Sequence, residues 1–472
     1  MRSIVSLIIG IAISIALNAQ TKVADNLQSH WRSFTNDPQL KYASVGFCVM
    51  NANTGQVIFE KNSNTGLAPA STQKVITSIA AFETLGANYQ FATRLGYAGK
   101  ITNGKLEGDL VLEGSGDPTL ASNRYASSSE DVLLKNMMQA IQKAGITEVT
   151  GNIVGTDKGF DLNPVPDGWI WSDMGNYYGA GHWAINWNEN VFSLFLKTGR
   201  SENDPIAIAA TEPTNMLDEK VLNDVKSGKA GTGDGSIIYS APYSEQIIYQ
   251  GKLEPNRDKL KVRGAFTDAS MQALSRIKEY LQTNGINIKG DAKTHFEQVL
   301  NHEALPNSVN YFYNYSSPTL DSVVYWFMRE SINLYGEALL RTIGLEKKGF
   351  GSNDNGIDWI RNFYDAKGID KEALHLYDGS GLSPANRVTP LAMTKALLYA
   401  KSQPWFNYFY DALPSYNGMK LKSGTINRVK CYTGYHTSKS GNNYIVTLMV
   451  NNYNGGRSSL VAKMFSLLDE LK

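Results

Sequence analysis

Apolar positions along the chain change their period several times, and each change marks an element. The run from Ile4 to Leu17 is unbroken, with one charge before it at Arg2 and Leu17-Asn18-Ala19 at its end. That pattern predicts an export signal over 1–19, cleaved before Gln20, with an uncleaved anchor as the alternative. Ala43 to Asn51 is rich in β-formers, Asn53-Thr54-Gly55 is a turn, and Gln56 to Phe59 resumes the strand pattern. The three together predict a hairpin. Pro69 and Ala70 lead into a helical period in which Val75, Ile76, Ile79, Ala80 and Phe82 share a face, with Gly86 as the stop. The segment Ser71-Thr72-Gln73-Lys74 therefore opens a helix.

From 93 to 305 glycine-rich turns punctuate short alternating runs, among them Asn103-Gly104 and Gly114-Ser115-Gly116-Asp117-Pro118. This stretch reads as an inserted, mainly β unit, with a smaller unit nested at about 190–268 and an exposed loop at Lys226 to Gly235. Met271 to Leu281 has a helical period closed by Asn284-Gly285. Helical character returns at Ser317-Pro318, which reads as a cap followed by proline in the first turn. Leu320, Val323, Val324, Phe327 and Met328 form one face of that helix, which ends near Ser331, and a second helix is expected from Leu334 to Gly344. Strands follow at Lys420 to Ile426, Val429 to His436 and Tyr444 to Asn451, then a terminal helix from Leu460 to Leu471. The domain reading is thus 20–92 with 306–472 as one discontinuous domain, carrying 93–305 as an insert.

Charge narrows the function. Forty-five basic side chains face 44 acidic ones, and no basic block is interleaved with aromatics, so nucleic acid is not an expected partner. The two cysteines, Cys48 and Cys431, lie in apolar strand-like runs and read as buried, unpaired thiols, with a disulfide, which export permits, as the alternative. No cysteine follows the signal, which argues against a lipid anchor. His30, His182, His295, His302, His375 and His436 show no metal-ligand spacing, and no metal or other cofactor is expected.

Three short segments carry the candidate chemistry. Ser71 and Lys74, three apart at a helix start, lie on one face. A serine hydroxyl needs a base, and a lysine amine can serve where burial and neighbouring cations lower its pKa. Ser331-Ile332-Asn333 lies between two helices, where a hydroxyl can relay a proton and an amide can hold substrate or the Lys74 amine. Lys422-Ser423-Gly424-Thr425 has strand character. An exposed edge there can pair with a peptide, Gly424 leaves room for its backbone, and Lys422, Ser423 and Thr425 can hold a carboxylate. The N–H groups of Thr425 and Ser71 can form an oxyanion hole. Each segment alone reads more readily as a cap, a turn or a hairpin; their joint order is what argues for acyl transfer.

With these residues the chain resembles the class C low-molecular-mass penicillin-binding proteins, the D-alanyl-D-alanine carboxypeptidase/endopeptidase family. Leu67 to Ala70, Gly114 to Leu120, Asn333 to Glu337 and Tyr377-Asp378-Gly379-Ser380-Gly381-Leu382-Ser383 extend the likeness over most of the chain. The resemblance implies an α+β, serine β-lactamase-like fold: a five-stranded antiparallel sheet with helices on both faces and a helical part beside it. It also implies a large insert after the nucleophile helix, which the long interval from Ser71 to Ser331 allows. Ser423 stands where threonine is commoner, and Gly336 where alanine is usual.

The activity implied is hydrolysis of peptidoglycan stem peptides through an acyl-enzyme on Ser71, in an exported periplasmic or envelope-associated enzyme. Muropeptides would be its partners and β-lactams its covalent inhibitors. Trp169 to Met174 is similar to a family segment beside the cleft, which makes Asp173 a candidate for binding a cationic substrate group. A β-lactamase and a catalytically silent wall-binding protein are the rival readings.

Overall fold

Val45, Phe47 and Val49 recur every second residue, as do Val446, Leu448 and Val450, so each strand presents one continuous apolar face. In the structure, a computed structural model that describes residues 22–156, 159–214 and 221–472, these strands lie side by side in a six-stranded antiparallel sheet. Its order is Ser415–Tyr416, Met419–Ile426, Val429–Thr437, Asn443–Asn451, Ser44–Asn51 and Val57–Lys61. The resemblance implies five strands. The sixth, Ser415–Tyr416, is a two-residue edge, too short to leave a period in the sequence. The expected export signal lies outside the described residues.

This sheet belongs to the first of two units, which comprises the described residues up to Thr84 with Val324–Ser331 and Ile357–Lys472. One face of the sheet packs on a helix over 22–35 and on the terminal helix Arg457–Leu468. Leu27, Trp31, Leu460 and Met464 meet Phe47, Leu421, Tyr432 and Val446 there. Each such buried side chain contributes about 1.5–3 kcal/mol. On the other face, Thr394 of the helix Pro390–Lys401 donates to Thr447 Oγ1 at 3.0 Å, and Thr447 shares a 2.7 Å bond with Thr433 across the strands. The helix Lys74–Leu85 is buried from Lys74 through Phe82 rather than along one stripe. The Tyr364 hydroxyl donates to Ile76 O, and Trp405 stacks on Phe82 at 5.1 Å, so polar residues such as Thr77 and Ser78 are interior as well.

The second unit comprises Leu85–Val323 and Ile332–Gly356. Its seven-stranded mixed sheet is built around the hairpin Ala92–Thr102 and Lys105–Glu113. The helices Glu130–Lys143 and Ala269–Thr283 share its core through Leu133, Met137, Leu274 and Ile277. Two three-stranded sheets enclose a separate apolar cluster with Phe192, Leu194, Val225 and Tyr249. Within the stretch read as a loop, strands Val221–Ser227 and Asp234–Tyr239 occupy the ends, so only 228–233 connects them.

Segments 306–323 and 332–356 group with this second unit, whereas the sequence reading places all of 306–472 in one discontinuous domain with 20–92. Strand Asn310–Ser316 pairs with Ala92–Thr102. The helix Asn333–Lys348 carries Arg341, 2% exposed, which donates to His182 O and Asn163 O. A buried guanidinium satisfied in this way ties its helix to those loops. Ser317 is not the cap of the helix Leu320–Arg329: its hydroxyl accepts from Phe91 N and donates to Pro318 O. Cys48 and Cys431 are buried free thiols.

Candidate active site

A 3₁₀ turn, Ala70–Gln73, runs directly into the helix Lys74–Leu85, so Ser71 precedes the α-helix instead of opening it. Ala70 is held at φ 46°, a left-handed conformation that a non-glycine residue adopts at a cost of order 1–3 kcal/mol. Lys74 has no exposed surface. Its Nζ donates to Ser71 Oγ at 3.0 Å and to Ser380 O at 2.7 Å, and lies 5.5 Å from the Phe327 ring.

The loop that presents Ser380 O is organised by Asp378, which is 1% exposed. One carboxylate oxygen accepts from Gln73 Nε2, Gly381 N and Asn386 Nδ2, and the other from Ser383 N. Thr77 Oγ1 donates to Gly379 O at 2.6 Å. Gly381 sits at φ +84°, and a Cβ there would meet Ala70 O at 2.0 Å, so both conformation and space demand glycine. The sequence marks this segment by family likeness alone; the structure gives it a task, holding the acceptor of the Lys74 amine.

Ser331 follows the helix Leu320–Arg329 at φ 57° and accepts a hydrogen bond from Lys422 Nζ at 3.0 Å. Lys422 lies on the strand Met419–Ile426, is 2% exposed, and also donates to Ser423 O at 3.1 Å. Burial, and after it the charges of Lys74 and Lys430, drive its pKa well below the usual lysine range. Alternation on the strand sends Lys422 and Gly424 to one face and Ser423 and Thr425 to the other. A Cβ on Gly424 would stand 2.5 Å from Pro69 O and 3.0 Å from Ser71 N. The space this glycine leaves is therefore taken by the Ala70–Gln73 turn itself, not by a substrate backbone.

Ser71, Lys74, Ser331, Lys422, Ser423, Gly424 and Thr425 all lie in the first unit. Asn333 and Asp173 belong to the second. Within it, Asn333 Nδ2 donates to Tyr178 O at 2.8 Å. Asp173, on the short helix Trp171–Met174, has its pKa raised by burial, an effect that a hydrogen bond from the Tyr178 hydroxyl opposes. Tyr178 itself is pushed up to about 12, by burial first and then by the Asp173 charge, so its proton stays in place at neutral pH. One tyrosine thus links Asp173 to Asn333. Sequence reasoning missed that link, and it missed Lys430, whose Nζ donates to Thr425 Oγ1 at 2.9 Å. A lysine inside the apolar run Val429 to Tyr435 was the available signal.

His182 is fully buried, and burial followed by the Arg341 charge lowers its pKa to about 3. It stays neutral and bonds Gly116 O. Among the described residues no three His, Cys, Asp or Glu side chains gather to hold a metal ion.

Comparison with known proteins adds to this geometry. The model of the D-Ala-D-Ala carboxypeptidase 3 (S13) family matches residues 27–416. A D-alanyl-D-alanine carboxypeptidase of Actinomadura sp. (strain R39) is 26% identical over 460 residues, covering 90% of this chain and 81% of the relative. The carboxypeptidase DacB of Haemophilus influenzae is 25% identical over 435 residues, covering 88% of this chain and 86% of the relative. The crystal structure of penicillin-binding protein 4 from Haemophilus influenzae superposes with a TM-score of 0.79 at 22% identity, over 93% of this chain and 98% of that one. The same fold is seen in its complex with a β-lactam, at a TM-score of 0.75.

Proposed function

Since the chain belongs to the D-Ala-D-Ala carboxypeptidase 3 (S13) family, we propose that it is an exported serine DD-peptidase cleaving peptidoglycan stem peptides, with Ser71 as nucleophile. The observation that carries the reading is the bond from the fully buried Lys74 amine to Ser71 Oγ. In its neutral form that amine takes the serine proton as Oγ attacks the carbonyl of the penultimate D-alanine. The Ser71 and Thr425 N–H groups receive the oxyanion; the approach of Gly424 to Ser71 N supports this pairing.

Ser331, bonded to Lys422, delivers a proton to the departing D-alanine amine. The lowered pKa of Lys422 suits it to pass a proton through that hydroxyl. Asn333, two residues along the chain, positions substrate. Ser423, Thr425 and Lys422 receive the terminal carboxylate, and water then hydrolyses the acyl-enzyme. The leaving group decides between carboxypeptidase and endopeptidase action. The Haemophilus influenzae protein's complex with a β-lactam supports β-lactams as ligands of this chain as well, and an acyl-enzyme chemistry on Ser71 would make them covalent inhibitors. Among the described residues no helix is long and apolar enough to cross a membrane.

The test is mass spectrometry of the mature protein after incubation with benzylpenicillin, mapped to peptide level. The expected result is a lasting adduct on Ser71. Rapid turnover of the drug would give the β-lactamase reading instead, and muropeptide binding without cleavage or adduct the wall-binding one.

Asp173 is proposed to receive a cationic group of the stem peptide, and its link to Asn333 through Tyr178 supports this. An Asp173→Ala variant is expected to lose about tenfold in kcat/KM on diaminopimelate-containing muropeptides relative to peptides with a neutral third side chain, the scale of one charge-assisted hydrogen bond. Equal losses on both substrates would remove Asp173 from recognition.

A further inference from the structure

Lys430 has no part in the three motifs, yet it is built into their edge. It lies on strand Val429–Thr437 directly across the ladder from Thr425 and is 6% exposed. Its Nζ donates to Thr425 Oγ1 at 2.9 Å and sits 4.6 Å from the Tyr432 ring. An ammonium group has donors only, so Thr425 Oγ1 must be the acceptor. The hydroxyl proton of Thr425 is thereby turned away from Lys430 and left to donate elsewhere. Thr425 is half-buried on the strand that carries Lys422.

We propose that Lys430 is a positioning residue for the carboxylate end of the substrate: it fixes the Thr425 hydroxyl as a donor and places a second positive charge behind it. This rests on the DD-peptidase reading and deepens it, because it assigns the preference for a free terminal carboxylate to a residue outside the motifs. The charged and titratable groups that interact with Lys430 are Lys422 on the neighbouring strand, which points to the opposite face, Cys431 beside it in the chain and Arg457 on the terminal helix, and its amine lies against the Tyr432 ring. None of them is a carboxylate that would neutralise it. Burial first, then Arg457 against the opposing effect of Cys431, leaves its pKa lowered to about 8. The charge is therefore present at neutral pH and is lost as pH rises through about 8.

The experiment compares the parent enzyme with Lys430→Met and Lys430→Arg on one D-alanyl-D-alanine peptide, presented with a free C-terminal carboxylate and as the C-terminal amide. Lys430→Met is expected to raise KM for the carboxylate form about tenfold, the scale of a hydrogen bond to a charged group, with kcat changed far less and the amide form little affected. Lys430→Arg is expected to restore most of the discrimination, since its guanidinium keeps the charge. In the parent, KM for the carboxylate form should rise above about pH 8. That rise should vanish in Lys430→Met and move to higher pH in Lys430→Arg.

Adduct formation on Ser71 with benzylpenicillin is followed in parallel. A Lys430→Met enzyme that still acylates, and discriminates carboxylate from amide as the parent does, overturns the proposal while leaving the DD-peptidase reading intact. A parent enzyme that neither acylates nor cleaves overturns both. A loss shared equally by carboxylate and amide, and not rescued by arginine, makes Lys430 a packing residue and overturns the proposal.

Discussion

A Ser71→Ala variant is expected to release D-alanine from a D-alanyl-D-alanine peptide at least about 10⁴-fold more slowly than the parent, because nothing replaces the nucleophile once the acyl-enzyme cannot form. Its melting temperature should stay close to the parent value. Ser71 contributes one hydroxyl to a turn whose main-chain geometry is set by its neighbours, and Lys74 keeps its bond to Ser380 O when that hydroxyl is gone. KM should change little, since the carboxylate-binding residues are untouched. Chromatographic assay of released D-alanine, together with intact-mass measurement after benzylpenicillin, reads both halves of the expectation. Residual turnover near the parent rate would assign the attack to another group.

Lys74→Met is expected to slow acylation by about 10²–10⁴, the range for removing a positioned general base. Methionine has nearly the length of the lysine stem and fills the enclosed space without a charge. The cost to stability is the Ser380 carbonyl left without its donor, about 1–3 kcal/mol. A second effect separates the base from mere packing. The protonated form of Lys74 is one of the influences that hold the Lys422 amine down; with methionine in its place that influence disappears, and the Lys422 pKa should move up toward its ordinary range. The second-order rate constant for a chromogenic β-lactam, followed from pH 6 to pH 10, therefore has a lower plateau and an alkaline limb displaced upward. A variant that acylates at the parent rate would remove Lys74 from the chemistry.

Much of the first unit, and the three motifs of the candidate site, was legible because the signals are local. Ser71 and Lys74 are three residues apart, Ser331 and Asn333 two, and the third motif is contiguous, so each is visible without knowledge of the fold. The strands Met419–Ile426, Val429–Thr437 and Asn443–Asn451 announced themselves by β-branched and aromatic runs. What escaped depends on partners far along the chain. Ser317 looks like a cap until Phe91 claims its hydroxyl. That the helix Asn333–Lys348 groups with the second unit shows only once Arg341 binds loop carbonyls at His182 and Asn163. Gly424 looks like space for a substrate until Pro69 and Ser71 occupy it. Lys430 is set opposite Thr425 only by strand register, which a lone lysine in an apolar run does not specify.

The Lys74 amine leans on a main-chain oxygen, and main-chain atoms cannot be altered by a point mutation. Residue 380 can change identity, so long as it stays small, and still offer the same carbonyl. Genetic drift and antibiotic selection therefore have little direct purchase on the lysine through that position. Their purchase is Asp378, the carboxylate on which Gln73, Gly381, Ser383 and Asn386 converge. The heritable information that places the Lys74 amine is thus shared by a few codons, those of Asp378, Gly381 and Thr77 among them, and two of these lie far along the gene from the lysine.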